Sequence, residues 1–234
     1  VIQNGATLTI AAGTTVEFTP TDDRASGSDP SLPEIIVDNA SLLLQGTEAS
    51  PILLTTAHDG TPVPGLWGGI TLTQDATVPS PLTVSHTTLE YASWGIDCTL
   101  SGWDDPDHNA PLALDHTTVQ HTGGNGLAFT FEGGTGQLAL AQVTCEANAG
   151  HGIRVRTQTA GTWHGSLVDV RCLDNNDSDR HGFVWQNEDG SSVDFDLTSS
   201  QEAGEDRSSR FSGNGSHGCY LYATDSGTHY DINV

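Results

Sequence analysis

Apolar and polar positions alternate with period two along most of the chain, in short runs bounded by Gly and polar turns, which predicts strands rather than helices. The runs also repeat. LTVSHTTLEYASWGIDCTL from Leu82, LALDHTTVQHTGGNGLAFTF from Leu112 and LALAQVTCEANAGHGIRVRT from Leu138 align with one another. LVDVRCLDNNDSDRHGFVWQN from Leu167, with a short insertion, and RFSGNGSHGCYLYA from Arg210 continue the series. Each copy is a strand, a polar turn, a Gly and a second strand. The Gly column is Gly95, Gly126, Gly152, Gly182 and Gly218, with steps of 31, 26, 30 and 36 residues. Directly after it come Ile96, Leu127, Ile153, Phe183 and Cys219, and two places on Cys98, Phe129, Val155, Trp185 and Leu221. Before the turn, Leu89, Val119, Cys145, Cys172 and Phe211 form a third apolar column. One copy cannot bury its own apolar face, so the copies must stack as rungs about 4.8 Å apart. The predicted fold is all-β: a right-handed parallel β-helix, built as a single-stranded solenoid.

The first 75 residues carry the same architecture in other words: NGATLTIAAGTTVEF from Asn4, then EIIVDNASLLLQGTEASPILLTTA, then GLWGGITLTQ. The residues Gly5, Thr7, Leu8, Thr9, Ile10, Gly13, Thr14, Val16 and Phe18 carry a motif, continued by Gly46, Thr47, Pro51, Ile52, Trp67, Gly68, Gly69 and Ile70. This motif resembles the N-terminal rungs of secreted bacterial right-handed β-helix repeat proteins. The resemblance implies one β-helix domain over 1–234, with N-terminal rungs in 1–75 and Gly-column rungs in 80–234. It implies a fold and not a function, because that family serves many roles. Long polar loops are expected at 19–33, 99–111 and 199–209, the usual place for solenoid insertions.

Composition narrows the partners. There are 30 acidic residues against seven Arg and no Lys, for a formal charge of -23. That field repels nucleic acid and anionic membranes, and no apolar run reaches the roughly 18 residues of a membrane span. The chain starts at Val1 without a visible signal peptide, as a processed secreted product would, and an extracellular or cell-surface location is expected. Neither terminus shows a helix that would cap a solenoid. Either caps lie in flanking sequence, or the ends stack on neighbouring copies and build filaments.

Several residues offer chemistry. His151, His181 and His217 precede the Gly of three successive rungs. They fit a stripe for zinc, copper or nickel, or a turn ladder of stacked side chains. In-line stacking does not converge three nitrogens on one ion, so the ladder is favoured. His86 and His116 form a second pair, each followed by Thr-Thr, with Asp115 beside them; an outward repeat column is expected over a catalytic dyad. Asp174, Asp177 and Asp179, like Asp104, Asp105 and Asp107, form acidic clusters. The first nearly fits an EF-hand loop, but His181 breaks it and a strand follows. No cofactor is expected, and Ca²⁺ held loosely by these clusters is the one candidate. Arg154, Arg156, Arg171 and Arg180 are the one anion patch. Cys145 and Cys172 share a column in adjacent rungs and are the disulfide candidate, while Cys98 and Cys219, four rungs apart, are expected to be buried free thiols.

The resemblance also brings in polysaccharide lyases and polygalacturonase-like hydrolases, which use this fold. A lyase acting on uronic acids needs cations to neutralise the substrate carboxylate and a base, and few cations are present. A glycosidase needs two converging carboxylates; Asp169, Asp194 and Asp196 lie on strands, with no spacing that selects a pair. A Thr array suited to ice is broken in the later rungs. The expected function is therefore a non-enzymatic extracellular β-solenoid, structural or adhesive. The alternative is a carbohydrate-active enzyme or polysaccharide-binding module that uses one face of the helix.

Overall fold

The computed structural model describes residues 1–75, 80–104, 112–175, 178–199 and 209–223, and the backbone of 229–233. All 19 strands among them join in one hydrogen-bonded system, and every strand pairing is parallel. The chain is an all-β parallel β-helix. No helix among the described residues is long and apolar enough to cross a membrane.

The strands stack into three faces. The first runs through Glu34–Asp38, Gly69–Asp75, Ile96–Ser101, the start of Leu127–Ala141, the start of Ile153–Val168, Phe183–Asn187 and Cys219–Ala223. The second takes Thr7–Ala11, Ser41–Gln45, the first halves of Leu82–Glu90 and Leu112–Gln120, and the later halves of the two long strands. Ser192–Thr198 and His229–Asn233 continue it. The third carries Thr15–Phe18, Ile52–Thr56, the second halves of Leu82–Glu90 and Leu112–Gln120, then Thr144–Glu146, Arg171–Leu173 and Arg210–Ser212.

The register reproduces the three apolar columns residue for residue: Ile96 to Cys219, Cys98 to Leu221 and Leu89 to Phe211. Each fully buried aliphatic side chain in them contributes about 1.5–3 kcal/mol. Large rings need room in so narrow a core, and glycine supplies it. Trp163 stacks on Phe131 with centroids 3.7 Å apart, and its register partner is Gly136. A Cβ at Gly136 would lie 2.8 Å from the indole. In the N-terminal rungs Trp67 stacks on Phe18 at 4.0 Å and gives its Nε1–H to the Glu90 carbonyl, so two residues of the recognised motif are in contact.

Two corners between faces are marked by left-handed backbone at non-glycine residues. His86, His116, Gln142 and Asp169 form one such column and Tyr91, His121, Ala147 and Asp174 the other, with φ between 42° and 60°. Each residue costs roughly 1–2 kcal/mol relative to ordinary backbone, and the stack on both sides enforces it. The second of these columns opens the turn before the Gly column, where the sequence pattern concealed an asparagine ladder. Asn148 Oδ1 accepts from the Thr122 N–H and Oγ1–H; Asn175 Oδ1 accepts from the N–H and Nδ2–H of Asn148; Asn214 Oδ1 accepts from those of Asn175. The Nδ2 groups also bond the carbonyls of Val119, Cys145 and Cys172. This ladder explains the Gly column: a Cβ at Gly152 would lie 2.9 Å from Asn175 Nδ2 and 2.6 Å from the Gly182 carbonyl.

The expected loop at 99–111 starts later than its sequence suggested, because Thr99, Leu100 and Ser101 complete the strand Ile96–Ser101 with Leu100 buried inside. Residues 105–111 and 200–208, where two of the expected loops fall, lie outside the described residues.

Candidate functional site

The first face and the adjoining turn bring together the side chains best suited to a ligand. Trp94, in the turn before Gly95, is half exposed at 50 %. Its ring packs against Gly124, where a Cβ would collide with it. The next rungs supply Asn125, His151 and Arg154, and a further rung supplies Arg180. Together with Gly123, Gly124, Ala149 and Gly150 they line an open cleft of about 250 Å³. One wall is thus an aromatic plate and the other is cationic. Arg154 is braced by Gln186 Oε1 at 3.2 Å, and its guanidinium pKa is lowered by burial and by Arg156. Among the described residues no carboxylate forms an ion pair with Arg180. Asp97 stands outward on the same face, two rungs before Arg154; burial raises its pKa and Arg154 pulls it back. His181, Tyr220 and Tyr222 prolong the aromatic surface, with ring centroids 4.7 and 6.0 Å apart.

Residues 1–100 match the family model described as pectate-lyase like beta helix domain. The chain is a parallel β-helix repeat protein. No curated protein and no solved structure matches it.

Within this β-helix repeat protein the expected anion patch is smaller than its sequence implied. Arg171 stands on the third face, in register with Arg210, so a corner separates it from the cleft. Arg156 is committed to Glu188, which it grips through Nε and Nη2 at 3.2 and 2.8 Å. Arg154 and Arg180 remain. The histidine stripe is a ladder: His151 Nδ1 accepts the His181 N–H at 2.8 Å, His181 Nδ1 accepts the His217 N–H at 3.2 Å, and Asn125 Oδ1 accepts the His151 N–H at 2.9 Å. With those lone pairs engaged, His151, His181 and His217 are not placed as a converging metal-ligand set. Burial, then His181, Arg180 and Arg154, lower the His151 pKa to about 4. Asp174 packs against Gly213 and Asp179 sits in a turn, while Asp177 lies outside the described residues.

The disulfide expectation is corrected. Cys98, Cys145, Cys172 and Cys219 are all free. Cys145 and Cys172 are in-register neighbours on parallel strands, whose side chains run side by side at the strand spacing of about 4.8 Å, whereas a disulfide draws its Cβ atoms to about 3.8 Å. Burial raises the thiol pKa of both. Cys98 is buried as expected, but Cys219 is exposed.

Two groupings escaped sequence reasoning. His164 Nδ1 bonds Asp194, and its Nε2 lies 3.9 Å from Asp196; the strand positions of the two carboxylates were legible, their histidine was not. Trp94 is the other: it precedes Gly95, the position that His151, His181 and His217 hold in later rungs. Its signal was the Gly-Gly pair in the following rung, which leaves space for a flat ring.

Proposed function

We propose that this β-helix repeat protein is a non-enzymatic polysaccharide-binding module, acting outside the cell or at its surface, whose ligand carries acidic groups. The observation that supports this reading is the cleft in which the exposed Trp94 faces Arg154 and Arg180. Sugar rings offer an apolar face to an indole, and guanidinium forks suit carboxylate and sulfate. The cleft opens onto the stacked aromatics of later rungs, as a long polymer requires. The matched description, pectate-lyase like, points to the same ligand class.

The test is binding of a panel of neutral and acidic polysaccharides, by affinity electrophoresis and calorimetry. Wild type binds an acidic polymer, and Trp94→Ala and Arg180→Ala each weaken binding about tenfold or more, the loss expected for a buried aromatic or Arg anchor. Absence of binding across the panel, or binding indifferent to both substitutions, overturns the reading. One observation favours a second reading: Asp97 is a carboxyl with a raised pKa on the ligand face, which is the character of a proton-transfer group. Cleavage of the bound polymer, lost in Asp97→Asn with binding retained, would make the module an enzyme.

A further inference from the structure

At His86 and His116 the solenoid breaks a rule of strand geometry twice in the same way. Neighbours in a continuous strand point to opposite faces. Here φ is 42° at His86 and 45° at His116, and the alternation skips a position. Neither Ser85 nor His86 is buried, nor Asp115 nor His116, while Thr87 and Thr117 behind them are enclosed. Those two threonines brace the bend, each Oγ1–H donating at 2.9 Å to the carbonyl two residues earlier.

The register sets Asp115 beside Ser85 and Thr117 beside Thr87, so the two imidazoles stack with centroids 4.3 Å apart and planes 20° apart. Because the bend lets Asp115 share a face with its own sequence neighbour, its carboxylate accepts from His116 Nδ1–H at 2.8 Å. An ionised carboxylate only accepts, so this bond fixes the tautomer and leaves His116 Nε2 with a free lone pair, the usual device for presenting a histidine to a metal. Ligand atoms of His86, Asp115 and His116 all lie within 4.8 Å of one another. Gly46 occupies the position over His86 in the preceding rung and puts no side chain across the approach; a Cβ there would collide with the His86 carbonyl.

We propose that His86 and His116 ligate one divalent transition-metal ion of the zinc, nickel or copper class, with Asp115 orienting His116 from behind its ring and water in the remaining positions. Two imidazoles suit these ions and are a poor set for Ca²⁺, which takes oxygen ligands. Rotation of the half-exposed side chains brings the nitrogens to metal bonds of about 2.0–2.1 Å. The site lies at the corner between the second and third faces, away from the cleft.

Calorimetric titration of the full chain with Zn²⁺ at neutral pH tests it, with Ca²⁺ as counter-probe and Co²⁺ absorption as a readout of nitrogen ligation. One Zn²⁺ binds per chain, Ca²⁺ does not compete, and Co²⁺ gives visible bands. His86→Ala and His116→Gly each abolish both signals, Asp115→Asn weakens Zn²⁺ binding about 10–100-fold, and His151→Asn changes nothing. Circular dichroism checks that each variant remains folded. Failure of wild type to bind Zn²⁺ overturns the proposal. So does Zn²⁺ binding that persists in folded His86→Ala,His116→Gly protein, which would assign the ion to the acidic surface.

Discussion

The molecule stacks histidines in two places and uses them oppositely. At the turn, His151, His181 and His217 are consumed by the fold: two of the Nδ1 atoms accept a backbone N–H from the following rung. At the corner, His86 and His116 accept no backbone N–H among the described residues, and His116 turns its Nδ1–H to a carboxylate beside it. Ring stacking is common to both, with centroids 5.2 Å apart at His151–His181 and 4.3 Å at His86–His116. The distinction lies in the backbone. At the turn a donor arrives from the next rung and takes the lone pair. At the corner left-handed φ swings two successive side chains outward, and the lone pairs face solvent. A column of like residues therefore says nothing about availability until the backbone donors around it are placed.

The sharpest way to break this contrast is to remove a member of the ladder system. Asn175→Ala deletes a buried carboxamide that bonds Asn148, Cys145 and Asn214 at once. A loss of about 3 kcal/mol is expected in chemical denaturation, from lost bonds and stranded donors together. A loss below 1 kcal/mol would mean that the turn does not depend on its ladder.

Acid gives a smaller and more selective effect. The folded pKa of His151 is about 4 against the ordinary 6.5 of a histidine, so between those values the unfolded chain binds the extra proton. Stability thus falls as pH drops from about 6.5 to about 4 and is fully present above that window. Allowing for solvent screening at a partly exposed ring, the contribution is about 1–2 kcal/mol. His151→Asn, whose side-chain oxygen accepts the next N–H as Asn125 already does, should flatten that part of the stability–pH profile. An unchanged slope would assign the acid sensitivity elsewhere.

The smallest effect belongs to the corner. His116→Gly relieves a left-handed non-glycine φ but loosens the unfolded chain, and the two effects nearly offset, leaving stability within about 0.5 kcal/mol of wild type. A loss above 2 kcal/mol would show that the imidazole stack supports the fold, and the contrast would collapse.

The inward columns were legible from sequence because a period of two with recurring Gly leaves little freedom in register. The ladder was not, since Asn148, Asn175 and Asn214 sit in polar turns where Asn is expected on other grounds, and the 175–182 insertion shifts one of them relative to its Gly. Nor were the corners. Ser85-His86 and Asp115-His116 read as two polar residues in a row, a lapse in alternation that looks like noise. Arg154 and Arg180 were visible as cations, but joining them to Trp94 required knowing which turn lies over which strand. The disulfide expectation failed for a related reason: sharing a column is not the same as having side chains that point at each other.

The direction of the two ladders at the turn has a mechanical consequence. Asparagine donors reach forward to the next asparagine, from Asn148 to Asn175 to Asn214, and back to the preceding rung's carbonyls, while histidine-ladder donors reach back, from His217 to His181 to His151. Peeling a rung from either end therefore breaks bonds in which the departing rung donates as well as bonds in which it accepts. Neither end is the soft end at this seam. A pull along the axis meets the same resistance in both senses, and each rung surrendered leaves the next with the same unpaired groups to part with.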